Sequence, residues 1–153
     1  MQTRRQFCVH ACHAASVAAV GSILNGCGDS NPAGPSGGST PQLATASSTV
    51  ASNQVSLTID SVSPLASVGS AALVQNSLGA FLVAHTGQDS FTALTAICTH
   101  EQCTVTGFDN QRYVCPCHGS QYDTSGRVVN GPAPTALRTF PTQFSNSVLT
   151  FTV

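Results

Sequence analysis

Two short clusters of cysteine and histidine constrain this chain more strongly than any other feature of its sequence. Their members are Cys98, His100 and Cys103 in the first cluster, and Cys115, Cys117 and His118 in the second. A run that is typical of a turn followed by one strand separates them. Thiolate and imidazole groups are the usual protein ligands of zinc and of iron–sulfur centres. The fold therefore has to bring two loops together around a metal centre or around disulfide bonds.

The order and spacing of these residues leave three interpretations open. As ligands they form a Cys-x-His pair and a Cys-x2-His pair, and fourteen residues separate the two pairs. Structural zinc sites usually group like ligands together, and a zinc site would leave Cys103 and Cys117 unexplained. Two plain disulfides would leave both histidines to coincidence. An iron–sulfur centre uses both pairs, and the oxidising surroundings of an exported protein would allow the two remaining cysteines to pair.

The composition limits the size of the fold and the class of partner. The chain has 153 residues, which suffice for one domain with a remainder, and only 7% of them are charged. It has no lysine, its formal net charge is −1, and its only run of basic residues is Arg4-Arg5. Nucleic-acid binding depends on many phosphate contacts from basic side chains. We therefore expect no nucleic acid among the partners.

Residues 1–27 are predicted to be an export signal. Arg4 and Arg5 resemble a twin-arginine motif, and a weakly apolar run over residues 7–24 follows them. The sequence ending at Cys27 resembles a lipobox, in which that cysteine is acylated. The rival interpretation retains the apolar run as an uncleaved membrane anchor, near the lower length limit for a span. Both interpretations place the domain on the periplasmic, outer side of the cytoplasmic membrane.

The rest of the chain divides into a linker and a domain. Residues 28–50 are dominated by Gly, Pro, Ser and Thr, which predicts a flexible tether. Residues 51–153 contain short apolar runs broken by turn residues and no amphipathic helical stripe, which predicts an all-β domain. The predicted strands cover residues 55–59, 71–75, 80–85, 91–97, 126–129, 137–140 and 147–153.

The segments CTHEQC and CPCHGSQYD resemble the two cluster-binding boxes of Rieske iron–sulfur proteins. The resemblance extends over about residues 54–153 and implies an antiparallel β sandwich with a small cluster-binding subdomain formed by two loops. It also implies one [2Fe–2S] cluster, in which two histidines replace two of the usual cysteines. Gly131-Pro132-Ala133-Pro134 resembles the proline loop of the family, although an ordinary proline-rich turn is the alternative.

The resemblance assigns a role to each residue of the boxes. Cys98 and Cys115 would bind one iron, and His100 and His118 would bind the other. Cys103 and Cys117 would form a disulfide between the boxes. The hydroxyls of Ser120 and Tyr122 would donate hydrogen bonds to a bridging sulfide and to a ligand sulfur, which raises the reduction potential. The complete set is therefore Cys98, His100, Cys115 and His118 as ligands, Cys103 and Cys117 as the disulfide, and Ser120 and Tyr122 as tuning residues.

One departure from the family bears on function. In Rieske subunits of quinol:cytochrome c oxidoreductases the first box usually reads CTHLGC, whereas Glu101 and Gln102 stand in place of Leu-Gly here. A carboxylate near the docking tip makes a role in quinol oxidation less favoured. We therefore expect a membrane-tethered one-electron carrier that serves a cytochrome or a membrane oxidoreductase and catalyses nothing alone. The alternatives are an iron–sulfur subunit of a quinol:cytochrome c-type or other multi-subunit oxidoreductase and, third, a structural zinc or disulfide module.

Overall fold

A computed structural model describes residues 40–153 of the chain, and its regular structure there consists of strands. In chain order the strands are β1 (Ala44–Thr45), β2 (Thr49–Ala51), β3 (Gln54–Thr58), β4 (Ala71–Asn76), β5 (Gly79–Gly87), β6 (Ser90–Thr95), β7 (Gly107–Asp109), β8 (Arg112–Val114), β9 (Gln121–Asp123), β10 (Val128–Asn130), β11 (Thr139–Phe140), β12 (Thr142–Ser145) and β13 (Val148–Thr152). They form three sheets, ordered β1-β4-β5-β6-β11, β12-β13-β3-β2 and β10-β9-β8-β7. All neighbouring strands are antiparallel except β1 and β4, which are parallel.

The five-stranded sheet is buried on both faces at its central strand, β5, because a hydrophobic core packs against each face. Side chains of a strand alternate between faces, and in β5 Phe81 and Val83 enter one core while Leu82 and Ala84 enter another. The first core lies against the sheet that contains β3 and β13, where Phe81 contacts Phe151 at a ring-centroid distance of 5.2 Å. The predicted all-β sandwich is therefore confirmed.

The second core lies between the opposite face of the same sheet and the sheet β10-β9-β8-β7, which we call the cluster sheet. Leu82 and Leu94 come from the five-stranded sheet, and Tyr113 and Tyr122 come from the cluster sheet. Cys98 and Cys115 belong to this core as well. The sequence predicted only a turn and one strand between the two Cys/His clusters. The structure instead has the hairpin β7–β8 there, since strands of three residues are too short to show a periodic pattern.

The predicted linker over residues 28–50 needs a correction at its C-terminal end. Strand β1 and the first two residues of β2 lie within it, and the amide of Leu43 donates a hydrogen bond of 2.8 Å to the Thr106 carbonyl. The Phe108 amide donates one of 2.9 Å to the Pro41 carbonyl. Backbone pairing holds this segment, so its polar composition was misleading. Residues 28–39 and the predicted export signal lie outside the described residues.

Gly107 explains how this segment can lie so close to the cluster sheet. A Cβ atom built at Gly107 would be only 2.9 Å from Cγ2 of Thr40 and 3.1 Å from the Val114 carbonyl oxygen. Glycine is therefore needed where the incoming chain meets β7.

Over residues 40–153, no helix has the length and apolar character that crossing a membrane requires.

Candidate metal centre

The candidate centre lies at one end of the cluster sheet, where three loops meet. We call residues 98–103 the first loop, residues 115–120 the second loop and residues 131–137 the third loop. The first loop follows β6, the second connects β8 to β9, and the third follows β10. The turns of the hairpins β7–β8 and β9–β10 lie at the other end of the same sheet. This topology brings both Cys/His clusters of the sequence to a single place.

The first loop is closed by two backbone hydrogen bonds. The Cys98 amide donates to the Cys103 carbonyl at 2.8 Å, and the Gln102 amide donates to the Cys98 carbonyl at 3.0 Å. Gln102 has a φ of 59°, in the left-handed region that favours glycine. The bonds hold both cysteines of the loop in place, at the expense of backbone strain at Gln102.

The second loop repeats the same two bonds at equivalent positions. The Cys115 amide donates to the Ser120 carbonyl at 2.8 Å, and the Gly119 amide donates to the Cys115 carbonyl at 3.0 Å. Gly119 has a φ of 71° and therefore matches Gln102 in backbone conformation. Each loop thus presents the side chain of its first cysteine from the same local framework.

A disulfide between Cys103 and Cys117 joins the first and second loops, with their Cα atoms 6.5 Å apart. The pairing is the one that the family resemblance implied. Cys98 and Cys115 are free thiols and both are buried, which excludes the alternative of two plain disulfides. The sulfurs of Cys103 and Cys117 are occupied by each other, so they are removed from the candidate ligands.

The two free thiols differ in acidity. Burial raises the pKa of Cys115. Burial alone would also raise the pKa of Cys98, but hydrogen bonds from the Tyr122 hydroxyl and the His100 backbone outweigh it, and the pKa of Cys98 is lowered. A thiolate is the form that binds a metal. Of the two cysteines, Cys98 therefore has the surroundings that stabilise a thiolate better.

Tyr122 connects to the first loop through its hydroxyl. The oxygen lies 3.2 Å from Cys98 Sγ, accepts a hydrogen bond of 3.1 Å from the Thr99 amide and lies 3.1 Å from Thr99 Oγ1. The side chain is fully buried. A hydroxyl fixed by two contacts to Thr99 can direct its proton to the neighbouring sulfur.

Thr99 is a residue of the site that sequence reasoning missed. Besides contacting Tyr122, its hydroxyl donates a hydrogen bond of 2.7 Å to the Thr135 carbonyl in the third loop. Its place between Cys98 and His100 was the only signal in the sequence. Thr99 therefore ties the third loop to the first.

The third loop also packs closely on the second. A Cβ built at Gly131 would lie 2.6 Å from the Cα of Ser120, and Gly131 has a φ of +95°. Only glycine fits a position with that conformation and that approach. The third loop, which contains the proline-rich segment, therefore contacts both the first and the second loop.

The two histidines lie together at the outer side of the loops. The rings of His100 and His118 are 4.8 Å apart between centroids and perpendicular to each other. His118 Nε2 lies 3.8 Å from Oε2 of Glu101, and 47% of the His118 side chain is exposed. Cys98 and Cys115, by contrast, are each only 1% exposed. The centre thus has a buried sulfur side and an imidazole side that reaches the surface at His118.

Unpaired polar atoms test whether the site fits an iron–sulfur cluster. Among the described residues, His100 Nδ1 and Ser120 Oγ are buried and have no hydrogen-bond partner in the protein. A buried imidazole nitrogen without a partner suits a metal ligand, and a buried hydroxyl suits a hydrogen bond to a sulfide. Two thiols and two imidazoles in this arrangement fit a Rieske cluster.

Similarity to known proteins gives the class of the chain. A sequence model of the Rieske [2Fe-2S] domain matches residues 57–141. The chain therefore belongs to the Rieske [2Fe–2S] family, and its cofactor is one [2Fe–2S] cluster. It is an iron–sulfur electron-transfer domain, and the zinc alternative is set aside.

Within the Rieske family, the chain is similar in sequence to iron-sulfur subunits of the cytochrome b6-f complex. The chain is 47% identical over 75 residues to the cytochrome b6-f complex iron-sulfur subunit of Prochlorococcus marinus strain NATL1A, over 46% of this chain and 42% of that protein. The subunit of strain MIT 9515 is 58% identical over 45 residues, over 29% of this chain and 25% of that protein. The chain thus spans less than half the length of these curated relatives.

A solved structure shares the fold. The ferredoxin of carbazole 1,9a-dioxygenase from Nocardioides aromaticivorans IC177 is 17% identical and has a TM-score of 0.51, over 63% of this chain and 96% of that one. At this identity the similarity concerns the fold alone.

Proposed function

We propose that this protein is a one-electron carrier whose Rieske centre cycles between its oxidised and reduced states on the outer side of a membrane. Cys98 and Cys115 would hold the buried iron, and His100 and His118 would hold the iron nearer the surface. The observation that carries the proposal is the division of the centre into a buried thiol side and an imidazole side that reaches the surface at His118. This division supports electron exchange at the surface, next to His118.

The hydrogen bonds around the centre support a potential in the upper part of the Rieske range. Neutral imidazoles make the centre less negative than four thiolates would, and the range for Rieske centres is roughly −150 to +300 mV. The Tyr122 hydroxyl lies 3.2 Å from Cys98 Sγ, and the buried Ser120 hydroxyl has no protein partner. Hydrogen bonds to sulfur stabilise the more negative, reduced state. A high-potential acceptor such as a cytochrome suits this centre.

The membrane attachment is proposed from the sequence alone. Arg4 and Arg5 would direct export, Cys27 would carry the lipid, and residues 28–39 would tether the domain. Export of a folded protein suits a cofactor that is inserted before transport. Intact-mass measurement of the membrane-extracted protein should find a diacylglycerol group on Cys27, and an unmodified Met1 would instead support the uncleaved anchor.

A second candidate function is favoured by the relatives. They are iron–sulfur subunits of the cytochrome b6-f complex, so this chain is a candidate subunit of a larger membrane oxidoreductase. Such a subunit should co-purify with its complex after mild detergent extraction. Recovery of the domain without a stable partner would favour the carrier.

The proposed function is tested on holoprotein by absorption and low-temperature EPR spectroscopy. We expect the spectra of a [2Fe–2S] centre with mixed nitrogen and sulfur ligands, fully reduced by one electron per chain. Cys98→Ser and His118→Ala should each abolish these spectra. A preparation that contains zinc and no iron would overturn the proposal.

A further inference from the structure

The face through which electrons would leave carries a single formal charge. We call the exposed surface of the first, second and third loops the contact face. Among residues 98–103, 115–120 and 131–137, Glu101 is the only Asp, Glu, Lys or Arg. Its side chain is 63% exposed, and Oε2 lies 3.8 Å from Nε2 of His118. Any protein that contacts the exposed His118 edge must therefore also meet this carboxylate.

The other charges of the cluster sheet lie at its opposite end and largely compensate one another. Arg112 pairs in register with Asp109 on one side and with Asp123 on the other. Arg127 donates a backbone hydrogen bond to the Asp123 carboxylate at 3.0 Å. A strand of three residues spans about 10 Å, which is about one Debye length at 0.1 M salt. Within the three loops, Glu101 is therefore the formal charge beside the exposed His118 edge.

We propose that Glu101 selects as partner a redox protein that presents a lysine or arginine side chain beside the exposed edge of its own cofactor. This inference rests on the proposed function, since it assumes that electrons pass through His118. A cationic side chain would pair with the carboxylate as the two proteins dock. An apolar docking surface would instead remove the carboxylate from water without a partner, which is unfavourable. A partner with acidic side chains around the exposed edge of its cofactor would be repelled by the Glu101 carboxylate.

The test uses two forms of one electron acceptor. Reduced holoprotein is mixed by stopped flow with a basic c-type cytochrome, and separately with the same cytochrome after its lysines have been succinylated. Three proteins are compared, namely the wild type, Glu101→Gln and the matched control Asp109→Asn, which removes an equal charge at the far end of the cluster sheet. The midpoint potential of each is measured so that rates can be compared at equal driving force.

A charge at a protein interface acts mainly on the association rate and loses its effect in high salt. At an ionic strength of about 0.1 M, where the Debye length is about 10 Å, we expect Glu101→Gln to slow reaction with the basic cytochrome about fivefold, and to leave reaction with the succinylated form unchanged or faster. In about 0.5 M salt the difference should vanish. Asp109→Asn should stay within about twofold of the wild type throughout.

The possible failures are distinguishable. Equal rates for wild type and Glu101→Gln, or an equal loss in Asp109→Asn, would overturn the inference while the proposed function stands. A wild-type holoprotein with an intact centre that reduces neither cytochrome nor ferricyanide would overturn the proposed function, and the inference with it.

Discussion

The first and second loops share a backbone design but differ in the residues that occupy it. Both are closed by the same pair of backbone hydrogen bonds, yet Gln102 stands in the first where Gly119 stands in the second. In the first loop, the sulfur of Cys98 lies 3.2 Å from the Tyr122 hydroxyl. The second loop ends in Ser120, whose hydroxyl has no hydrogen-bond partner in the protein. The common backbone therefore presents the proposed ligands, while the surrounding side chains make the two halves of the centre unequal.

The largest effect, a loss of stability, is expected when the disulfide that joins the first and second loops is removed. Replacing Cys103 and Cys117 together by serine removes a disulfide that joins two residues 14 positions apart in the chain. Such a link stabilises a domain by about 3 kcal/mol in the chain-entropy model. We expect the free energy of unfolding to fall by about that amount. Denaturant unfolding, followed through the visible absorption of the centre, measures it. An unchanged unfolding midpoint would mean that the ligands alone hold the loops together.

The tuning of the first loop is tested by two tyrosines that face each other on adjacent strands. Tyr122 pairs in register with Tyr113, and both are fully buried, but only the Tyr122 hydroxyl contacts a cysteine sulfur. Tyr122→Phe should lower the midpoint potential by about 60 mV, equivalent to about 1.4 kcal/mol for one electron. Protein-film voltammetry measures the change.

Tyr113→Phe is the matched control for that experiment. The Tyr113 hydroxyl is buried without a protein partner, so its removal should leave the potential unchanged and should not destabilise the fold. Equal shifts in the two variants would show that burial of a hydroxyl, rather than its bond to Cys98, sets the potential.

The second loop offers a smaller effect on the potential. Ser120→Ala should lower the midpoint potential by about 40 mV, equivalent to about 1 kcal/mol, because the reduced centre loses a hydrogen bond from its sulfide side. The apoprotein should be at least as stable as the wild type, since its buried hydroxyl has no protein partner. A destabilised apoprotein with an unchanged potential would assign Ser120 to packing alone.

The smallest effects come from exchanging residues at the equivalent positions of the two loops. Gln102→Gly should stabilise the holoprotein by about 0.5–1 kcal/mol, because glycine adopts a positive φ without strain. Gly119→Gln should destabilise it by a similar amount, and through backbone strain only, since a Cβ at Gly119 meets nothing within 4 Å. Thermal unfolding measures both, and changes of the same sign would contradict the equivalence of the loops.

The family of this protein was predictable from two short segments, CTHEQC and CPCHGSQYD. Ligand type and spacing are local properties of the chain, so the two boxes alone implied the family, the [2Fe–2S] cofactor and the Cys103–Cys117 pair. The alternation of apolar residues likewise predicted most strands of the sandwich. Strands β1, β2, β7, β9 and β12 were missed, because segments of two to four residues carry little periodic pattern.

The sequence by itself therefore determined the chemistry of the site, and tertiary structure decided its surroundings. Only the fold shows that residues 40–43 pair with the cluster sheet, that Thr99 connects Tyr122 to the third loop, and that the carboxylate of Glu101 lies beside His118. These contacts join segments or side chains whose proximity depends on packing and hydrogen bonding rather than on spacing along the chain. Local spacing specifies what a site can bind, whereas long-range contacts specify its acidity, its strain and the face that it shows to a partner.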